Sequence, residues 1–353
     1  MRKGKRLIAW IMAVVMLFTI CVFDGNGTAE AAATTPVAKH GRLSVKGADL
    51  VDSKGNKFQL RGISTHGINW DVGSPYVNKK AFKTLRDDWG VNAIRLAMYT
   101  EEYNGYCSGG SQAKLRKLVD KGVGYATDLG MYAIIDWHIL SDGNPNKNKS
   151  QAKKFFTTIA KKYKNNKNVI YEICNEPNGC SWKEIKSYAT DIIKTIRKYD
   201  KKAVIIVGTP TWSQLGTDGT SNEVADSPIK GYKNIMYSLH FYASEWAHNE
   251  YLPAKVAYAR KKKLPIIVSE FGLSPASGDG AINKASADKW MKLLNKYNIS
   301  YFCWSLSNKN ESASLLKPST KKISGWKSGD LSTAGKYIKK KYLARKKALG
   351  KKA

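Results

Sequence analysis

Eight short apolar runs, each rich in branched residues, recur along this 353-residue chain, most of them followed by an amphipathic, Lys-rich stretch. They occupy residues 59–66, 93–98, 132–138, 169–176, 203–208, 235–240, 265–270 and 300–305. Helical patterns lie between them over 78–88, 113–129, 151–163, 182–199, 254–262 and 285–297. Near-continuous apolar strands are the kind covered on both faces, as parallel strands under crossover helices are. Eight such units predict an α/β protein with a single (β/α)8 barrel, the TIM-barrel architecture. The doubly wound alternative is weakened because no glycine-rich phosphate loop follows the first run.

The flanking segments have their own signatures. Residues 41–51 alternate and then reach turn residues at 52–56, which predicts an N-terminal β-hairpin covering the bottom of the barrel. Ahead of it, Arg2, Lys3, Lys5 and Arg6 precede an apolar stretch over 7–23 and small-residue sites at Ala29-Glu30-Ala31 and Ala31-Ala32-Ala33. That order is the layout of a cleaved secretory signal, with cleavage after Ala31 or Ala33. The expected division is therefore a signal over 1–33, a catalytic barrel over 34–345 and a basic tail over 346–353. A secreted, extracellular protein without stable membrane insertion is the expectation.

Lys plus Arg number 59 against 28 for Asp plus Glu, a formal net charge of +31. Such a charge raises nucleic acid as a partner, but the basic residues are scattered over helices and no nucleic-acid motif accompanies them. No nucleic-acid partner is expected; weak adsorption to anionic wall polymers by a monomer is. Cys107, Cys174, Cys180 and Cys303 show no C-x-x-C pair and no neighbouring His, which argues against a metal site. Their disulfide state stays open.

In a barrel of this kind the active site is built at the C-terminal ends of the strands. The eight runs end in, or are followed by, chemistry-bearing groups. His66 ends the first, with Trp70 just beyond; Arg95 lies within the second, with Tyr99 after it; His138 ends the third, and Asn175 and Glu176 the fourth. Trp212 follows the fifth, His240 and Tyr242 end the sixth, Glu270 the seventh, and Trp304 the eighth, with Asn308 and Lys309 beyond. Two carboxylates across one cleft meet the requirement of glycosidic cleavage, in which one protonates the leaving oxygen while the other attacks or activates water. Taken alone, either glutamate is as readily an ion-paired rim residue; the aromatic and polar company at the same rim favours chemistry. Sugar rings offer C–H faces and hydroxyl edges, so Trp70, Trp212 and Trp304 suit a sugar track.

The segments Arg61-Gly62-Ile63-Ser64-Thr65-His66-Gly67, Ile173-Cys174-Asn175-Glu176-Pro177-Asn178-Gly179, Val268-Ser269-Glu270-Phe271-Gly272 and Trp304-Ser305-Leu306-Ser307-Asn308-Lys309 resemble glycoside hydrolase family 5. They are most similar to its bacterial endo-β-1,4-glucanase (cellulase) branch. The resemblance implies hydrolysis of internal β-1,4-glucosidic bonds by a retaining double displacement, with no cofactor and no metal. It implies Glu176 as general acid/base and Glu270 as nucleophile, with Arg95 holding Glu270 ionised and Tyr242 donating a hydrogen bond to it. It further implies Asn175 on the sugar 2-hydroxyl, His138 and His240 lining the reacting subsite, and Trp304 as its stacking floor. His66, Trp70, Tyr99, Trp212, Asn308 and Lys309 match glucan-binding positions of that branch.

Other readings make contrary demands. A mannanase, xyloglucanase or mixed-linkage glucanase would use the same carboxylate pair. A barrel metallohydrolase using His66, His138 and His240 would want an H-x-H on the first strand, which is missing. A non-catalytic polysaccharide-binding barrel would release no reducing ends. Glu172 shares the face of Glu176 by the two-residue period and is expected to be a buried, paired carboxylate. Asp136 is expected to orient its neighbours, Cys174 to be core, and His40 and His248 to stand outside the motifs. Glu176 is expected to titrate above an ordinary Glu.

Overall fold

The structure, a computed structural model, describes residues 34–350. The secretory-signal reading of 1–33 lies outside the described residues, as do 351–353. A short helix α1 (Pro36–His40) leads into strands β1 (Ser44–Lys46) and β2 (Asp49–Val51), which pair antiparallel. The hairpin is as expected, but its reversal falls at Gly47 and Ala48 and not at 52–56. Gly47 turns there with φ +59°, a conformation that glycine adopts at no steric cost. Residues 52–56 form a second turn, closed by a bridge from Val51 to Lys57 and held by Asp52, whose Oδ1 accepts from the amides of Lys54 and Asn56.

Eight parallel strands then close the barrel: β3 (Arg61–Thr65), β4 (Ala93–Tyr99), β5 (Tyr132–His138), β6 (Val169–Glu172), β7 (Ile205–Val207), β8 (Ile235–Tyr242), β9 (Ile266–Gly272) and β10 (Tyr301–Leu306). Strand β10 returns to pair with β3. Between strands run α2 (Lys79–Trp89), α3 (Gln112–Asp128), α4 (Lys149–Tyr163) and α5 (Trp182–Arg197), then the one-turn segments α6 (Pro210–Ser213) and α7 (Glu223–Asp226). Helices α8 (Trp246–Lys261), α9 (Lys284–Lys296) and α10 (Thr333–Gly350) complete the chain, so residues 346–350 continue the last helix.

Local chemistry sets the helix ends. Asn78 caps α2 through its side chain on the Ala81 amide, and Gly90 ends it in the left-handed region. Ser181 and Glu184 form a reciprocal capping box at the start of α5. Helix α8 departs from the sequence pattern, which places its start after Pro253. It begins eight residues earlier, at Trp246, and Pro253 lies within it. The Asn249 side chain holds this first stretch, donating to the carbonyls of Ala243 and Glu245.

Two apolar layers follow from strands with two buried faces. One lies between strands and helices. The other fills the lower barrel, where Ala93, Ile134, Ile170, Ile206, Met236, Ile267 and Phe302 meet Leu43, Leu50 and Phe58 of the N-terminal segment. The hairpin therefore closes the barrel bottom by burying its own apolar residues, a hydrophobic contribution. Gly62 makes this layer possible, since a Cβ there would sit 1.9 Å from the Phe302 ring. With the lower barrel filled by hydrocarbon, the polar inward residues are confined to the upper end.

Candidate active site

Above the apolar layer, Arg95 is fully buried at the centre of the barrel. Its Nε donates to Glu172 at 2.7 Å, Nη1 to Glu270 at 2.9 Å and Nη2 to the amide oxygen of Asn175 at 2.5 Å. Asp136 lies 3.0 Å from Nη2. Burial disfavours the guanidinium charge, but Asp136, Glu172 and Glu270 together hold it above its ordinary value. Glu172 is thus the paired carboxylate that its position predicts. Glu270 accepts from Arg95 on one oxygen and from the Tyr242 hydroxyl, at 2.8 Å, on the other. Tyr242 thus makes the hydrogen bond expected of it, and Arg95 contacts the same carboxylate.

The companion acid stands just past β6. The chain there remains pinned by Asn175 N on the Trp137 carbonyl and Glu176 N on the Ile139 carbonyl. Glu176 Oε1 lies 2.8 Å from His240 Nδ1, and burial pushes its carboxyl up to about 8. Arg95 opposes that rise, while Asp136 and Glu172 add to it. A carboxylate oxygen of Glu176, a ring nitrogen of His240 and a carboxylate oxygen of Glu270 all lie within 4.8 Å of one another. Among the described residues this is the one group with metal-like spacing. Its donors are already engaged, because both oxygens of Glu270 receive hydrogen bonds from Arg95 and Tyr242. The three histidines of the metallohydrolase reading have separate partners: His138 bonds Asp136 and Asn175, His66 accepts from Gly67 N, and His240 bonds Glu176 and Ser269.

Asp136 orients its neighbour, as expected. Its Oδ2 lies 2.5 Å from His138 Nδ1, and burial pushes His138 down to about 3, so the ring is neutral. Nδ1 then carries the hydrogen, and Nε2 accepts from the Asn175 amide at 3.2 Å. The Asn175 side chain is fixed from both ends.

These groups form the floor of a cleft of about 550 Å³. Its wall on one side is an aromatic cluster in which the Trp304 ring stacks on His138, with centroids 5.2 Å apart, and His66, Trp70 and Tyr99 pack around it. Trp212 stands on the opposite side, 44% exposed. Thr211, Trp212 and Ser213 all have positive φ, an uncommon backbone for such residues. That turn is tied to the acid's own loop: Trp212 N donates to the Pro177 carbonyl and Ser213 Oγ to that of Asn175.

Of the residues expected at the site, His66, Trp70, Tyr99, His138, Glu176, Trp212, His240, Tyr242, Glu270, Trp304 and Lys309 line the cleft. Arg95 and Asn175 lie buried beneath it. Asn308 is apart from the lining, its amide donating to the Thr320 carbonyl. His248, set outside the motifs, does line the cleft and accepts from Tyr242 N. Glu102, Gln214, Glu245 and Glu311 also line it and were not anticipated. They sit on loops, where neither period nor motif marks them; the only signal was that Glu102 and Glu245 follow the second and sixth runs by a few residues. Glu311 pairs with Lys309 Nζ at 2.5 Å. Cys107, Cys174, Cys180 and Cys303 are all free thiols, and Cys174 is core as expected.

The cellulase profile of glycosyl hydrolase family 5 matches residues 51–310. This chain belongs to that family. The family 5 hydrolase is 46% identical over 341 residues to an endoglucanase of Clostridium saccharobutylicum, covering 95% of this chain and 72% of the relative. It is 45% identical over 303 residues to endoglucanase A of Butyrivibrio fibrisolvens, covering 85% of this chain and 68% of that one. Its fold superposes on the catalytic domain of Thermobifida fusca endoglucanase Cel5A with a TM-score of 0.83 at 37% identity, covering 88% of this chain and all of that domain. The barrel architecture read from the eight runs is thereby shown.

Proposed function

We propose that this family 5 hydrolase is a secreted endo-β-1,4-glucanase that cleaves internal bonds of its glucan with retention of configuration. The observation that carries the reading is the pair Glu176 and Glu270, with oxygens within 4.8 Å across the floor of an aromatic cleft. Retaining glycosidases hold their carboxyl groups about 5–5.5 Å apart, against about 6.5–9.5 Å where a water must fit between them. The T. fusca Cel5A catalytic domain is also known with cellotetraose bound, which supports a glucan chain as occupant.

Glu176, kept protonated by burial, gives its proton to the glycosidic oxygen as Glu270 bonds to the anomeric carbon and the leaving sugar departs. Glu176, now a carboxylate, takes a proton from water; the water oxygen bonds to the anomeric carbon and the bond to Glu270 breaks. Arg95 from beneath the cleft and Tyr242 from its lining hold Glu270 in line, while Asn175, its amide hydrogens given to His138 and the Ile139 carbonyl, braces the floor under the reacting sugar. The aromatic rings supply C–H stacking surfaces on both sides of the cleavage point. The protein acts as a monomer, and its excess of Lys and Arg over Asp and Glu supports weak adsorption to anionic wall polymers.

The test is product analysis on cellohexaose, mannohexaose and mixed-linkage glucan beside reducing-end release from carboxymethyl cellulose. Internal cleavage of cellohexaose at the highest kcat/KM is expected. Faster cleavage of mannohexaose or mixed-linkage glucan would reassign the substrate within the same chemistry, and no release from any of them would refute an enzyme.

A further inference from the structure

Behind Glu176 a chain of hydrogen bonds runs inward to a buried charge. His240 Nδ1 lies 2.8 Å from Glu176 Oε1, and His240 Nε2 lies 2.9 Å from Ser269 Oγ. Ser269 Oγ is 2.7 Å from Ser238 Oγ, which donates to Glu172 Oε1 at 3.1 Å. The far end is an ion pair, Arg95 Nε to Glu172 Oε2 at 2.7 Å. Ser238, Ser269 and Glu172 are wholly buried and His240 is 2% exposed, so the links have no solvent alternative.

Counting hydrogens gives this chain a direction. Glu172, paired with Arg95, accepts only, so Ser238 must spend its single hydrogen there. Ser238 can then only accept from Ser269, which leaves Ser269 only able to accept from His240. His240 Nε2 must therefore carry a hydrogen. Burial pushes His240 down to about 4, so the ring is neutral and Nδ1 is a bare lone pair facing Glu176.

We propose that Ser238 and Ser269 are positioning residues that lock His240 in its Nε2–H tautomer, so that Nδ1 accepts from Glu176 and keeps the acid protonated between turnovers. The inference rests on Glu176 being the acid/base. Once Glu176 has released its proton, its carboxylate faces the same lone pair. Turning the tautomer over would leave the two serine oxygens facing each other with no hydrogen between them. The opposition makes Glu176 a stronger base toward the water of the second step. The proton leaves that water for Glu176, while the oxygen goes to the anomeric carbon and Glu270 is released.

The other titratable or charged groups around Glu176 and His240 are Arg95 from β4, Asp136 and His138 from β5, and Glu172 from β6. Tyr242 and Glu270 face them from β8 and β9, with Tyr99 and His248 at the margin. A change at Ser269 removes none of these, so its effect on pH dependence reports the chain itself.

The experiment has three arms on the whole protein. Nitrogen-15 NMR of the imidazoles at pH 6 should show His240 with a protonated Nε2 and an unprotonated Nδ1. In Ser269→Ala the basic limb of kcat/KM on cellohexaose should move about one pH unit lower, a loss of about fivefold at pH 8 that approaches about tenfold at higher pH. Hydrolysis of a dinitrophenyl cellobioside, whose leaving group needs no acid, should change less than about twofold in kcat/KM. Ser269→Thr, which keeps the hydroxyl, should return the limb to its original place. A wild-type His240 protonated on Nδ1, or a limb unmoved in Ser269→Ala, would overturn the proposal. If Ser269→Ala fails to fold, the wild-type tautomer decides alone. The assignment beneath it fails separately: Glu176→Gln retaining cellohexaose cleavage would show that Glu176 is not the acid, whatever the tautomer of His240.

Discussion

The hydroxyl of Tyr242 donates to Glu270 Oε1 at 2.8 Å while Arg95 takes the other oxygen, leaving the carboxylate clamped between an element of β8 and one of β4. Positioning of that kind fixes the angle from which an oxygen approaches an anomeric carbon. Tyr242→Phe should therefore lower kcat on cellohexaose by about 10-fold to 100-fold while thermal stability changes little. Steady-state kinetics with a melting curve will check it; a kcat within twofold of wild type would remove Tyr242 from the machinery.

Arg95 poses the opposite case. It is wholly buried and touches Asp136, Glu172 and Glu270. Arg95→Ala leaves three carboxylates without their cation and should cost on the order of 3–5 kcal/mol of stability as well as activity. Chemical denaturation measures the loss.

The two glutamates separate by substrate. Glu270→Ala should abolish turnover of cellohexaose and of aryl cellobiosides alike, because no glycosyl-enzyme can form. Glu176→Ala should lose most activity on cellohexaose, yet still be glycosylated by a dinitrophenyl cellobioside. Added azide should then speed its release and yield a β-glycosyl azide. Azide rescue in Glu270→Ala instead would reverse the two roles.

Burial pushes Glu176 up to about 8, so the protonated acid persists through neutrality and the basic limb of kcat/KM should fall near that value. Stability follows with a definite sign. The folded state binds a proton that the unfolded chain has released above about 4.5, so unfolding free energy declines as pH rises from there toward 8. Glu176→Gln, which cannot ionise, should raise the melting temperature relative to wild type at pH 8 and do so less at pH 4. Equal differences at the two pH values would contradict the shift.

Trp212 is 44% exposed and carries little of the core. Trp212→Ala should raise KM for cellohexaose several-fold, on the order of 1 kcal/mol of lost stacking, with stability nearly unchanged. Comparing cellotriose with cellohexaose will check it, since the shorter substrate should lose less.

The sequence carried the architecture and most of the chemistry, for physical reasons. Two-residue and 3.6-residue periods are local, so the eight runs and their helices were visible before any contact was known. Residues at run ends were identifiable for the same reason, and Glu176, Glu270, Tyr242 and the aromatic rim came from that rule with the motifs, whereas the role of Arg95, inside the second run, came from the family resemblance. What period cannot convey is a break in the period. Along β9, alternation would send Ser269 and Glu270 to opposite faces. Between Ser238 and His240 of β8 the partner strand advances three residues, from Ile267 to Glu270, and β10 shows the same extra residue, pairing Tyr301 with Val268 but Cys303 with Phe271. This bulge lets Ser269 reach His240 while Glu270 reaches Arg95. Loops set the rest: Glu311 and Glu102 enter the cleft and Asn308 bonds Thr320 because of where non-local segments pack. Sequence alone determined the eight barrel strands and which acids stand at their ends. Only the closed barrel decided which of those side chains share a hydrogen-bond chain, because that depends on register between strands far apart in sequence.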